Sequence, residues 1–290
     1  MISCKLCGGL GNQLFQIFTT IAYAIKYQKA FFFLNNTQLG NGKNGVVIRY
    51  TYWDTFLKEF RPFLKDQKQI PWLNLIYEKD FTYNELPENF DKNMGSLLVG
   101  YFQSPKYFNN CKETICKMMK IELKKIIIRK KVNIDFENNM TISIHFRFGD
   151  YKKYPNIYPL LGVNYYYNAL KYIISELNID ELNKMINVLY FCEDDSISES
   201  EMIITQLKSL TQKLIHFERA SSELSDWEQL LLMSMCEHNI IANSTFSWWG
   251  AYLNTSNSKI VCYPDEWFKK ETNKVTSDLF LEDWINIKIN

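Results

Sequence analysis

Four short segments carry residue types able to do chemistry. Ser143-Ile-His-Phe-Arg-Phe-Gly-Asp-Tyr151 puts an imidazole, a guanidinium and a carboxylate close together, with His145 in an apolar strand pattern and Arg147, Gly149 and Asp150 on the turn that follows it. At a strand's carboxyl edge, Arg147 can hold a phosphate through two parallel hydrogen bonds, and His145 can bond a base or phosphate oxygen. An internal Arg147–Asp150 ion pair beside a packed histidine fits the same residues. In Asn239-Ile-Ile-Ala-Asn-Ser-Thr-Phe-Ser-Trp-Trp-Gly-Ala251, a buried strand pattern runs into the hydroxyls of Ser244, Thr245 and Ser247. Hydroxyls and free N–H groups at a helix start form an anion site, or simply cap the helix.

Two further segments are less specific. Gly9-Leu-Gly-Asn-Gln13 is a glycine turn able to aim N–H groups at an anion, or merely to let a helix pack on a sheet; the third glycine of a dinucleotide fingerprint is missing. Val188-Leu-Tyr-Phe-Cys-Glu-Asp-Asp195 is an apolar run ending in carboxylates. Glu193 and Asp195 have the spacing to hold a divalent cation on a diphosphate, or to form a polar loop capping the next helix.

These segments need scaffolds. Ile2 to Cys7 reads as a strand, Leu14 to Ala24 as a helix and Ala30 to Leu34 as a second buried strand. An irregular, aromatic and Lys-rich stretch extends to about Gln103. From Thr141 strand and helix alternate: strands at Thr141–Phe146, Asn187–Cys192, Leu214–Phe217, Asn239–Ala242 and Lys259–Tyr263, and helices at Asn164–Glu176, Ser198–Thr211, Trp227–Cys236 and Ser247–Leu253. That alternation implies an α/β fold with a doubly wound parallel sheet, whose ligands bind beyond the carboxyl ends of the strands.

The chain of 290 residues is long enough for two domains and a cleft, and 47% apolar with 16% aromatic residues supplies ample core. A net charge of +1 provides no field for a nucleic-acid backbone. No apolar run is long enough to span a membrane and no secretion signal pattern opens the chain, so a cytoplasmic protein is expected. The seven cysteines suggest free buried thiols, since Cys4-x-x-Cys7 lacks a second Cys/His pair for zinc. Between Lys112 and Lys131, eight basic residues face only Glu113 and Glu122 and interleave with Met118, Met119, Ile121, Leu123, Ile126 and Ile127. This is an amphipathic basic helix pattern, read as a solvated face or as a peripheral membrane contact.

Together and in this order, Gly-Gly-Leu-Gly-Asn-Gln-Leu-Phe-Gln at 8–16, His-Phe-Arg-Phe-Gly-Asp-Tyr at 145–151 and Asn-Ser-Thr-Phe-Ser-Trp-Trp-Gly-Ala at 243–251 resemble the inverting α-1,2-fucosyltransferase family. The similarity spans nearly the whole chain and includes Leu230 to Cys236 and Trp267-Phe268. It implies a two-lobed fold of the GT-B type. Residues 1–135 would form an acceptor-side lobe with the glycine loop, and 136–290 a GDP-sugar lobe whose last helix is able to cross back.

The resemblance also implies a function: transfer of L-fucose from GDP-β-L-fucose to the 2-hydroxyl of a galactose-containing glycan, with inversion and no metal or other cofactor. Arg147 would bind the donor's β-phosphate, His145 would line the GDP pocket, and Ser244, Thr245 and Ser247 would cradle phosphate. Gly11 and Asn12 would reach the donor from the first lobe, and Asp150 is the candidate base. The family's His-x-Arg-Arg-x-Asp becomes His-x-Arg-Phe here, with Phe148 in place of the second arginine, a reduced form that also resembles the protein O-fucosyltransferases. Gln229 stands where the family commonly has Asp, so Asp226 or Glu228 is expected to contact the guanine instead. Acceptor specificity is expected between Gln38 and Tyr107, where Trp53, Phe56, Tyr101 and Tyr107 could stack on sugars or pack in the core. Another GDP-sugar as donor, and a silent GDP-sugar-binding module, are the alternatives.

Overall fold

A helix that is apolar nearly all round must be covered on every side, and α1 (Leu10–Lys26) is: fourteen of its seventeen residues are buried. The computed structural model describes residues 1–40, 42, 47–66, 68, 73–88, 94–177, 184–211 and 215–289. Packing divides the chain into two units. The first is Met1–Lys124 with Val275–Leu281, and the second is Lys125–Lys274 with Glu282–Asn290.

In the first unit, β1 (Ile2–Cys4) feeds the glycine turn and α1. Phe31 bridges β1 on one side, just before β2 (Phe33–Leu34). Short pairings follow, with β3 (Gln38–Leu39) antiparallel to β4 (Arg49–Tyr50) and β2 parallel to β5 (Leu64–Lys65). β6 (Leu73–Tyr77) and β7 (Gly95–Val99) complete a parallel sheet of order β1-β7-β6. The core is aromatic: Phe15 and Phe18 of α1 lie 5.8 and 5.5 Å from the Phe108 ring, and Phe33 stacks on Trp53.

The basic stretch forms two helices, α2 (Lys112–Met118) and α3 (Ile121–Arg129). Lys120, between them, has φ +52° and interrupts the helical path.

The second unit is built on six parallel strands: β8 (Asn139–His145), β9 (Met185–Phe191), β10 (Ile215–Arg219), β11 (His238–Ile240), β12 (Val261–Pro264) and β13 (Ile285–Ile287). Their order is β10-β9-β8-β11-β12-β13. Successive connections move outward from β8 to β10, and the chain then returns to the other side of β8 for β11, β12 and β13. The order reverses between β8 and β11, which is where such sheets open a crevice at their carboxyl ends. The intervening helices are α4 (Val163–Glu176), α5 (Ile197–Leu210), α6 (Asp226–Met233) and α7 (Thr245–Tyr252). β8 is buried from Met140 to His145, as a central strand covered on both faces requires. Tyr165 of α4 ties two strand ends together, donating to the carbonyls of Ile241 (2.5 Å) and Cys262 (3.2 Å).

The alternation expected from Thr141 onward is present, with the strand expected over Leu214–Phe217 found at Ile215–Arg219; Leu214 lies outside the described residues. Four particulars differ from the sequence reading. Packing divides the chain at Lys124/Lys125, inside α3, and not at 135/136: Lys124 is tied to Glu59 of the first unit and Lys125 to the Leu253 carbonyl of the second. The segment that returns to the first unit is 275–281, which is irregular and leads into β13, where a helix was expected. The single basic helix is two helices. The stretch read as irregular holds β6 and β7, which alternate too little polarity over five residues to stand out.

Candidate active site

β8 ends at His145, and its neighbour β11 leads into Asn243 and the start of α7, so both chemically rich segments lie at the carboxyl ends of adjacent strands. They touch. Tyr151, from the turn after β8, donates its hydroxyl to the Asn243 carbonyl at 2.9 Å, and the His145 ring lies 5.5 Å from the Phe246 ring.

Arg147 is held from three sides. Its Nη2 donates to Asp150 Oδ1 at 2.5 Å, its Nη1 donates to Glu193 Oε1, and its guanidinium carbon lies 4.8 Å above the Tyr151 ring. Tyr151 in turn stacks on Tyr158 at 3.9 Å. The internal ion pair weighed from sequence is therefore present, with Glu193 as a second carboxylate. Arg147 Nε remains buried without a hydrogen-bond partner, as does Glu193 Oε2. Gly149 makes the Glu193 approach possible: a Cβ there would lie 2.2 Å from Glu193 Oε2.

His145 is buried, and its Nδ1 has no hydrogen-bond partner. Burial, reinforced by the Arg147 charge, lowers its pKa to about 3, so the imidazole is neutral. A neutral ring with one orphaned nitrogen can still bond a ligand.

Ser244 is the N-cap of α7, its hydroxyl accepting from Phe246 N–H at 3.3 Å. Ser247 Oγ is turned back to the carbonyls of Ala242 (3.4 Å) and Ser244 (3.3 Å), while Thr245 is only half-buried. Asn243 donates to the carbonyls of Pro159 and Trp267, and its Oδ1 is buried without a partner. Trp248 and Trp249 are core: Trp248 stacks on Tyr252 at 4.8 Å and tilts against Trp284 at 5.5 Å. The aromatic half of this motif anchors the helix, and the hydroxyl half begins it.

Glu193 and Asp195 do not converge. Glu193 is committed to Arg147, and Asp195 accepts from Ser196 Oγ at 2.8 Å, a hydroxyl that also accepts the Gly149 N–H. Among the described residues, no three His, Cys, Asp or Glu side chains are grouped to hold a metal ion.

Glu228, expected at the guanine, has both carboxylate oxygens engaged. Oε2 accepts from the Ser225 N–H and hydroxyl at 2.9 and 2.7 Å, forming a capping box, and Oε1 accepts from Lys131 at 2.5 Å. Burial opposes its ionisation, but Lys131 and Ser225 outweigh burial and hold the carboxyl below its usual range. The carboxylate thus caps the start of α6. Gln229 donates to the Leu224 carbonyl at 3.0 Å. Phe148 is buried and stacked on Phe146, so the position of the family's second arginine is apolar core.

In the first unit, the glycine that needs its freedom is Gly8, at φ +78°; a Cβ there would strike Asn12 Nδ2 at 2.4 Å. Gly11 is buried in the first turn of α1, and Asn12 Oδ1 accepts from Gln103 Nε2 at 3.0 Å. Gln13 and Gln16 fasten the loop, donating to the Gly8, Tyr50 and Gly100 carbonyls. Gln103 was missed from sequence. It follows β7, beside β1 in the sheet, after a backbone kink at Phe102 (φ +54°) held by Glu78, whose carboxylate accepts the Tyr101 and Phe102 N–H groups. Trp53 and Phe56 are core, whereas Tyr101 is exposed.

All seven cysteines are free, and burial raises the Cys4 thiol to about 12. No helix among the described residues is long and apolar enough to cross a membrane.

The chain is 29% identical to the O-antigen biosynthesis glycosyltransferase WbnK of Escherichia coli over 321 aligned positions, covering 99% of this chain and all of WbnK. It is 25% identical to an α-1,2-colitosyltransferase of Escherichia coli, covering 99% of each. The fold is similar to that of ADP-heptose LPS heptosyltransferase II of Escherichia coli (TM-score 0.52, 10% identity, 99% of this chain and 89% of that one). It is also similar to FUT1 of Arabidopsis thaliana solved with GDP (TM-score 0.50, 12% identity, 92% and 70%). The fold is of the GT-B type, as expected from the motifs. The family profile of glycosyl transferase family 11 matches residues 65–288, a span that includes Arg147 and Ser244 and begins after the glycine loop. The chain belongs to glycosyl transferase family 11.

Proposed function

We propose that this glycosyltransferase moves L-fucose from GDP-β-L-fucose to the 2-hydroxyl of a galactose-containing glycan, with inversion at the anomeric carbon and without a metal. The observation that carries the reading is that Arg147 and the Ser244 cap of α7 lie just beyond the carboxyl ends of the adjacent strands β8 and β11, whose following turns touch through Tyr151 and the Asn243 carbonyl. A diphosphate there would exchange with Glu193 and Asp150 for the guanidinium, and would face the hydroxyls of Ser244 and Thr245. His145, neutral and with an orphaned nitrogen, would bond the nucleotide.

The chemistry is a single displacement. The acceptor hydroxyl oxygen forms a bond to the anomeric carbon as the bond to the β-phosphate oxygen breaks; GDP leaves with the electron pair, and Asp150 takes the acceptor proton. Charge grows on the departing diphosphate, and Arg147 with the start of α7 stabilises it where it grows. Acceptor choice is assigned to residues between Gln38 and Tyr107.

A second reading, another GDP-sugar as donor, is favoured by the relative named as an α-1,2-colitosyltransferase. Labelled GDP-fucose, GDP-colitose and GDP-mannose offered with a galactoside glycan array separate the two. Transfer from GDP-fucose that survives excess chelator is the expected result; turnover confined to another donor overturns the donor assignment. GDP binding with no transfer from any donor would mark a silent module.

A further inference from the structure

α3 is inside out. Lys124 and Lys125 are 5% and 7% exposed, while Leu123, Ile126 and Ile127 are 53%, 54% and 47% exposed. Fixed partners hold the lysines inward: Lys124 donates to Glu59 and to the Met119 carbonyl, both at 2.5 Å, and Lys125 donates to the Leu253 carbonyl at 2.8 Å. Burial lowers the Lys124 pKa, a cost that a helix rotated to expose its lysines would not carry. With Ile121 and Ile128 also buried, the apolar residues at i, i+3 and i+4 are left as one outward stripe.

The surroundings of the stripe are basic. Lys117, Lys120, Arg129, Lys130 and Lys131 are all exposed, and Glu122 is the one acidic residue between Lys117 and Lys131. Glu122 flanks Ile126, and Arg129 and Lys131 pair with Glu137 and Glu228, but the rim keeps an excess of positive charge through Lys117, Lys120 and Lys130, which disfavours a second copy of the stripe across a symmetric interface. The stripe matches a surface that is apolar beneath and negative at its rim. We propose that α3 docks on the surface of an anionic phospholipid bilayer, with Leu123, Ile126 and Ile127 entering the acyl boundary and Lys120, Arg129 and Lys130 facing the headgroups. The proposal is independent of donor and acceptor identity.

The test is co-sedimentation of the full chain with vesicles of phosphatidylcholine alone or mixed with phosphatidylglycerol, at low and high salt. Binding to the mixed vesicles, weakened by salt, is expected, with little binding to the neutral ones. Leu123→Gln, Ile126→Gln and Ile127→Gln together, and separately Lys120→Glu with Lys130→Glu, should each lower partition to mixed vesicles by roughly 10-fold or more. The changed side chains are exposed, so circular dichroism and transfer to a soluble acceptor should stay as in the parent. Equal binding to both vesicle types, no binding to either, or binding indifferent to both sets of substitutions overturns the proposal. So does a concentration-dependent dimer that the triple substitution abolishes, which would assign the stripe to a second copy of the chain.

Discussion

Glu193, on the turn after β9, grips the guanidinium of Arg147, on the turn after the neighbouring strand β8. The grip sets the plane of Arg147 and offsets its charge, so in the function proposed above an incoming phosphate would replace a carboxylate and would not meet an idle cation. Arg147→Ala should lower kcat/KM by about 10²–10³-fold, the usual cost of losing one donor that stabilises developing charge. Arg147→Lys should recover little of it, since an ammonium cannot serve two partners in one plane. Steady-state kinetics with donor varied, alongside melting curves unchanged within a few degrees, would check both.

Gly149 has a steric duty toward the same pair. Gly149→Ala should destabilise the protein by about 1–3 kcal/mol, the cost of overpacking, and should free Arg147 from Glu193. In a Glu193→Ala background most of that penalty should vanish, because the clashing atoms are gone. Urea unfolding of the two single variants and the double variant gives the coupling directly.

His145 should make the fold acid-sensitive. Its folded pKa of about 3 lies below the unfolded value of about 6.5, so the unfolded chain takes the proton first as pH falls. The stability it contributes is complete above pH about 6.5 and drains away toward pH about 3, at up to about 1.4 kcal/mol per pH unit. His145→Gln should flatten the difference between unfolding free energies measured at pH 7 and pH 5, whatever its effect at neutral pH.

Glu228 caps the start of α6, and its variants should read accordingly. Glu228→Ala should cost about 1–2 kcal/mol through loss of the cap. Because its folded pKa is depressed, the ion-pair contribution is present above the usual carboxylate range and is lost as pH falls through the folded value. The donor KM should change far less than the melting temperature; a donor KM raised tenfold by Glu228→Gln with stability intact would return this residue to the guanine.

The second unit was legible because alternation of buried strands with amphipathic helices leaves few topologies, and because ligand chemistry collects at strand ends. Arg147, His145 and Ser244 were expected at strand ends, and the structure places them at or just beyond the ends of β8 and β11. Glu193 was noticed for its charge but read as a cation ligand or a loop cap, since nothing local says that a carboxylate forty-six positions away will meet Arg147. Gln103 carried no signal at all: its importance comes from the kink at Phe102 and from the pairing of β7 with β1, a long-range contact. Phe148 was seen as a missing arginine, and only its stacking on Phe146 shows it as core.

The path of the last residues constrains how the protein can be made. The chain passes from the first unit to the second, back again for 275–281, and returns to lay down β13 along β12. Until Ile285 to Ile287 have left the ribosome, β12 is an open edge with unsatisfied backbone groups, and the sheet of the second unit lacks its sixth strand. A variant lacking Ile285–Ile287 should therefore yield a sticky, aggregating product, and no single cut in the chain can release either unit whole.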